Sequence, residues 1–243
     1  MRLAFKIALR FLSSSKKQTL LIILGIAIGV AVQVFIGSLI QGLQQSLVDS
    51  TVGNSSQVTI KPSDKNNSID NWNTIITKLE NSAKLPTEIT VISPVVEMPV
   101  FVILNSSQNF LLRGFDFDRA NGIYEFSNII NGKLPENENE ILVGKEFSEE
   151  FGITINDSVL LINSSNESKE FNVSGIFDLN VASLNKSWLI SNLKAVQSFS
   201  KLDNGVSKIE MQIKDVFLAD ELASRISQRL DQSLNITNWK DQN

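Results

Sequence analysis

The 243-residue chain contains no cysteine and no histidine. Disulfides, zinc–thiolate sites and iron–sulfur clusters are therefore excluded. So are Ser-His-Asp and Cys-His catalysis, and any imidazole pH switch. The missing cysteine does not fix the redox compartment, because a core of this size folds without covalent staples. Acidic side chains are missing from residues 1–17, which hold five basic ones: Arg2, Lys6, Arg10, Lys16 and Lys17. Charge of either sign is missing from the 31 residues between Gln18 and Val48. A nucleotide cradle is missing too. Gly144-Lys145 runs into Glu146 instead of Ser or Thr, and the upstream glycine of a phosphate loop is absent.

The uncharged run is the most informative stretch. A hydrocarbon core about 30 Å thick is crossed by roughly 20 apolar residues in a helix. Gln18–Val48 exceeds that length, so residues 18–48 are expected to form a transmembrane helix. A cleaved signal peptide has a shorter apolar region of about 7–15 residues with a small-x-small site after it. Gln41-Gly-Leu-Gln-Gln45 offers no such site.

Ahead of this run, Arg2, Lys6 and Arg10 fall on one helical stripe, with Leu3, Phe5, Ile7, Leu9, Phe11 and Leu12 over the rest. Residues 1–17 therefore read as an amphipathic elbow helix in the headgroup layer, ended by Ser13-Ser14-Ser15. A disordered basic leader is the other reading. Basic residues flank only this end, which places the N-terminus in the cytoplasm and residues 50–243 outside the cell (inner) membrane. Beyond residue 17 there are 17 basic and 26 acidic groups, a balance that argues against nucleic-acid binding.

Within the apolar run, Gly25 and Gly29 form Gly-x-x-x-Gly, with Ala27 and Ala31 nearby, and Gln33 places an amide near the centre. Small residues at that spacing admit a neighbouring helix, and an amide in hydrocarbon finds a partner or faces a cavity. Gly25, Gly29 and Gln33 are therefore helix-packing or cavity-lining candidates. A plain anchor is the alternative.

After residue 50 the pattern becomes mixed α and β. Gln57–Pro62 reads as a strand. Trp72, Ile75, Ile76, Leu79 and Ala83 follow helical spacing, with Asp70 as N-cap. Glu88–Leu104 reads as one or two strands broken at Ser93-Pro94 or Met98-Pro99, and Asn105-Ser106-Ser107 turns into a strand at Phe110–Phe115. Ile141–Gly144, Ser158–Asn163 and Glu170–Phe177 are short strands, Lys145–Phe151 a short helix closed by Gly152, and Val181–Ile190 a further strand region. Ser191 is placed as the cap of a helix through Phe199. Val206–Ile213 reads as a strand. Asp215 is placed as the cap of a helix burying Ala219, Leu222, Ala223, Ile226 and Leu230, and Asn235–Trp239 as a last strand.

No catalytic constellation emerges. Ser13-x-x-Lys16 and Ser14-x-x-Lys17 lie at the membrane edge, outside any domain. Glu136, Glu138 and Glu140 read as a solvated loop, with a hard-cation site as the sharper alternative. Asp116 and Asp118 read as a strand-end turn, with paired acid–base carboxylates as the alternative.

Several segments in order carry a family likeness: Ala8-Leu-Arg-Phe-Leu12, Leu24-Gly-Ile-Ala-Ile-Gly-Val-Ala31, Leu112-Arg-Gly-Phe-Asp116, Ile130-Asn-Gly-Lys-Leu-Pro135, Glu140-Ile-Leu-Val-Gly144, Phe151-Gly-Ile153, Asn156-Asp-Ser-Val159, Phe171-Asn-Val-Ser-Gly-Ile-Phe177 and Ile236-Thr-Asn-Trp239. Together they resemble the N-terminal half of MacB/FtsX-like ABC-transporter permeases, most closely the lipoprotein-releasing LolC/LolE branch. The resemblance implies an α+β chain: one N-terminal transmembrane helix, then a two-part extracytoplasmic domain. A porter-like α/β part would span 50–105 with 191–243, around a β-rich insert at 106–190.

It further implies a non-catalytic membrane subunit that binds no cofactor itself. ATP and Mg would sit on a partner ATP-binding cassette subunit, beside a second permease subunit in a homo- or heterodimer. The substrate would be a lipoprotein or peptide, with no nucleic acid, and the first helix would help form its cavity. Three later helices would follow Asn243. Asn156 stands where the family's Gly-Asp turn has glycine, and no counterpart of the chaperone-holding hook is evident. From the residues alone, a single-pass anchored sensor or binding module stays open.

Overall fold

The protein is seen in a computed structural model that describes residues 5–7, 10, 14, 16–52, 55–64, 68–82, 85, 88–103, 107–124, 126 and 130–241. It forms two compact units, Met1–Thr51 and Val52–Asn243. In the first, residues 5–7, 10 and 14 are helical, so Ser14 is helical where Ser13-Ser14-Ser15 was expected to end the elbow, while Arg2 lies outside the described residues. Helix α1 then runs Lys16–Val52, 37 residues, overrunning the expected 18–48 at both ends. At 1.5 Å per residue it is about 55 Å long, roughly 25 Å more than a hydrocarbon core needs. Its Lys16–Leu43 portion is long and apolar enough to cross a membrane. Every side chain from Leu20 to Leu43 is exposed. An all-round apolar helix with bare sides requires lipid or other helices about it.

The second unit is built on one ten-stranded sheet of order β10-β1-β9-β2-β3-β8-β5-β7-β4, with β6 pairing both β2 and β7. The strands are β1 Val58–Pro62, β2 Ile89–Ile103, β3 Ser107–Phe115, β4 Ile130–Gly132, β5 Glu140–Gly144, β6 Ser158–Asn163, β7 Ser168–Phe177, β8 Trp188–Asn192, β9 Lys208–Ile213 and β10 Leu234–Asn238. Because β6 bridges β7 back to β2, six strands close into a ring: β2-β3-β8-β5-β7-β6. Closure removes edges along this ring. Strands β9, β1 and β10 extend it as an open wing.

The wing and the ring share β2. Its first part, Ile89–Val95, pairs with β9, and Val100–Val102 pairs with β6. The strand is continuous through Pro94 and Pro99, where the sequence suggested a break. The alternation of an antiparallel strand explains why. Val95 accepts from Ser207 N and Glu97 N donates to Ser207 Oγ, so odd-numbered residues face the β9 side and even-numbered ones face β3. Pro94 therefore lacks its N–H on the β3 side just before that pairing begins at Val95. Pro99 lacks its own in the gap between the end of β9 pairing and the start of β6 pairing. Neither proline deletes a ladder bond.

Helices cover the sheet. They are α2 Trp72–Glu80, α3 Phe117–Tyr124, α4 Lys145–Phe151, α5 Ala182–Ser187, α6 Leu193–Ser200 and α7 Ala219–Ser227. The main core joins α2, α6 and α7 to the inner faces of the strands through Ile76, Leu79, Val196, Leu222 and Ile226. A second core packs Ala120, Ile123 and Tyr124 of α3 on Phe115, Leu142 and Ile190.

Several local expectations need correction. Asp70 does not cap α2: Asn71 holds the cap position, and Asp70 accepts from Ser68 Oγ at 2.5 Å. Residues 182–187 form α5 before the strand begins at Trp188. Asn192, not Ser191, caps α6, accepting from Ala195 N at 2.8 Å. Ser191 is buried at the end of β8 and donates to Glu140 O. Asp215 caps a 3-10 turn, Val216–Leu218, that leads into α7. Asn156 holds φ +75°, a left-handed conformation asparagine tolerates in place of glycine.

Candidate functional site

Along α1, Gly25, Gly29, Gln33 and Gly37 recur every four residues, so each sits about 40° round from the last on one side of the helix. Ala27 and Ala31 are about 200° round from Gly25 and Gly29, on the other side. There, Ile23, Ala27, Val30, Ala31, Val34 and Ser38 line a shallow apolar groove. A Cβ added at Gly25 or Gly29 would meet no atom within 4 Å. Thus α1 offers two different small-residue faces, and the Gly-x-x-x-Gly face is the one that carries the Gln33 amide. Lys6, Arg10, Lys16 and Lys17 are exposed on their helical segments.

In the second unit, one open cleft has a volume of about 1020 Å³. It opens between the starts of α2, α3 and α6 and the loop of residues 134–138. Trp72, Phe117, Leu134 and Leu193 supply apolar lining, with Asp70, Asp116, Asp118, Glu136 and Glu138 among its polar groups. Asp116 accepts from Arg119 N at 3.4 Å, closing the strand-end turn ahead of α3. The Glu136–Glu140 loop is tied together by Glu140, whose carboxylate accepts from Glu136 N at 2.8 Å and pairs with Lys133. Among the described residues no group of acids is placed to hold a metal ion.

The densest polar chemistry is buried instead. Arg113 of β3, 1 % exposed, donates to Glu210 Oε1 of β9 at 2.6 Å and to Tyr124 Oη of α3 at 3.1 Å. Tyr124 in turn donates to Glu210 Oε2 at 2.6 Å. Glu97 and Lys208 complete the cluster: Lys208 lies 2.7 Å from Glu97 and 3.1 Å from Glu210. The Trp188 ring lies 4.0 Å from the guanidinium carbon. Both buried charges are thus paired and hydrogen-bonded, as the interior requires.

Burial pushes the Glu210 carboxyl up, but Arg113 and Lys208 outweigh it and hold it at about 2. Burial also raises the Tyr124 phenol and, against the pull of Arg113, keeps it protonated. A carboxyl depressed on folding contributes stability above its unfolded pKa near 4.5, and the contribution is lost as pH falls towards the folded value. Acid titration followed by tryptophan fluorescence should therefore show stability falling between about pH 4.5 and 2 by on the order of 3 kcal/mol. A Glu210→Gln variant should lack that slope.

Residues 19–229 match the family model of the MacB-like periplasmic core domain. The chain belongs to that family. The match runs across both the apolar helix and the sheet unit. The lipoprotein-releasing system transmembrane protein LolC of Xylella fastidiosa (strain Temecula1) is 26 % identical over 119 residues, 45 % of this chain and 29 % of that protein. An uncharacterized membrane protein of Buchnera aphidicola is 27 % identical over 192 residues, 72 % of this chain and 44 % of that one. The chain therefore spans less than half the length of these curated relatives. Among solved structures, the periplasmic region of MacB from Actinobacillus actinomycetemcomitans superposes with a TM-score of 0.50 at 13 % identity, covering 80 % of this chain and 92 % of that one. The fold is thus that of the MacB periplasmic region, and part of the sequence is similar to LolC.

Two of the family-like motifs are architectural. Leu112-Arg-Gly-Phe-Asp116 supplies the buried Arg113. Glu140-Ile-Leu-Val-Gly144 supplies the glycine at which β5 abuts α5, where an added Cβ would fall 1.8 Å from Asn185 O. The Arg113–Glu210 pair went unnoticed in the sequence, yet a signal was there. Arg113 is the one charged residue of β3, and Glu210 sits between Ile209 and Met211 in β9, two residues after Lys208.

Proposed function

We propose that the chain is the N-terminal portion of a permease subunit of an ABC transporter of the MacB/FtsX/lipoprotein-releasing type. The supporting observation is that one family match takes in both an uncharged, lipid-length helix and the MacB-like sheet unit behind it. In this reading the elbow and Lys16-Lys17 lie at the cytoplasmic surface of the cell membrane, and residues 50–243 lie outside it. ATP and Mg are bound and hydrolysed on a separate cassette subunit. This chain contributes motion, not catalysis: α1 moves with a rigid outer domain as the cassette cycles. Closure of the six-strand ring suits that role, because a sheet without edges there transmits a push without fraying. A second permease subunit, the same or different, completes the pathway for a lipoprotein or peptide substrate.

Expression of the complete reading frame with an affinity tag is the test. An ATP-binding subunit should co-purify. In the same preparation Gly29→Leu should lower its recovery several-fold, since a bulky side chain keeps a neighbouring helix at a distance. A Leu20→Ile control should not. An anchored sensor or binding module predicts the reverse: no ATPase, and no effect of Gly29. A single-cysteine cross-linking scan from Gly25 to Gln41, clean in a chain without native cysteine, tells the two faces of α1 apart. Capture of substrate on the Gln33 side assigns that side to the cavity.

A further inference from the structure

We propose that the cleft between α2, α3, α6 and residues 134–138 receives a basic segment of a partner protein, one that presents lysine or arginine beside an apolar side chain. The cleft, of about 1020 Å³, combines two features. Its lining is partly apolar, through Trp72, Phe117, Leu134 and Leu193, and its titratable groups are five carboxylates against the single cation Lys194. Helix starts account for three of the acids, because carboxylates are favoured there. Asp70 precedes α2, and Asp116 and Asp118 open α3. Glu136 and Glu138 have no such explanation. They come from the opposite wall, a loop with no helix to serve, and still face the same space.

Arg119 and Lys133 lie near Asp116 and Glu136, at 3.8 and 3.5 Å. Both pairs are exposed, and such pairs contribute little to holding either side chain in place. Lys169 Nζ donates to Glu138 O at 2.8 Å, and Asp70, Asp118 and Glu138 still outnumber Lys194 and Lys169 and keep the cleft negative. A low-dielectric wall beside like charges concentrates the field, so a cationic side chain is drawn in and its apolar neighbour buried. An anionic or purely apolar segment meets repulsion or leaves the carboxylates unmatched.

This inference is independent of the transporter reading, because it concerns the outer domain alone. The test uses the full chain in nanodiscs of zwitterionic lipid, with Asn73→Cys as the only thiol, carrying an environment-sensitive dye at the cleft rim. The probe is a short synthetic lysine–leucine peptide, with empty nanodiscs as blank. A saturable dye response is expected, weakened as salt rises and the Debye length shrinks. Asp118→Asn combined with Glu138→Gln should weaken binding about five-fold, in line with the strength of exposed charge pairs. The same charge change at Glu149 and Glu150, outside the cleft, should leave it unchanged. Equal response to a glutamate–leucine peptide, or wild-type affinity in the cleft variant, overturns the proposal.

Discussion

Arg113→Met is expected to destabilise the sheet unit by roughly 3–5 kcal/mol, among the largest effects of any single substitution here. The guanidinium is 1 % exposed and Glu210 is 2 % exposed, so removing one charge strands the other without water. The stranded carboxylate must then protonate or pull solvent inward. Tyr124, which donates to Glu210 and accepts from Arg113, loses one of its two partners at the same time. Lys208, 3.1 Å from Glu210, offsets part of the loss, which keeps the expected cost near the lower bound. The decisive measurement is the double variant Arg113→Met with Glu210→Leu. Replacing a whole buried pair with apolar groups of similar volume is often neutral. The double variant should therefore unfold at a urea concentration closer to wild type than either single variant. Strict additivity would mean that the pair does not act as a unit.

The placing of this pair shows what the sequence could and could not convey. Strand and helix existence followed from local periodicity, so most of the wing and the ring was legible: Ser158–Asn163, Lys145–Phe151 with Gly152 in the left-handed region, and the buried face of α7. Errors fell where tertiary partners override local rules. The prolines of β2 look like breaks, but the missing N–H groups point where no strand lies. Residues 182–187 have strand-like neighbours, yet they coil into α5 because Asn185, 1 % exposed, turns inward. Its Oδ1 accepts from Leu179 N and its Nδ2 donates to Asp178 Oδ1. Ring closure through β6 is a long-range pairing with no local signature. The positions of the candidate residues on α1 need no tertiary information, since the segment is one uninterrupted helix. Their division into a glycine face and an alanine face needs only the helical period.

Gly144→Ala should cost about 3 kcal/mol or more, at or beyond the upper end for overpacked sites. Gly144 ends β5 and occupies the cap position of α4, in ordinary extended backbone at φ −75° and ψ 156°. Its conformation suits alanine, so the penalty is one of space alone. An added Cβ would lie 1.8 Å from Asn185 O and 2.4 Å from its carbonyl carbon. These are backbone atoms, and no rotamer change relieves them. Either α5 or the β5–α4 junction must move by more than an ångström. Moving α5 disturbs the Asn185 bonds to Leu179 and Asp178; moving the junction disturbs Phe147, which is fully buried just inside α4. Gly152→Ala is the matched control. There a Cβ meets nothing within 4 Å, and the cost is the left-handed φ of 66°, about 1 kcal/mol. Thermal unfolding of the two variants should separate them clearly. Equal losses would mean that α5 stands off from Gly144 in solution.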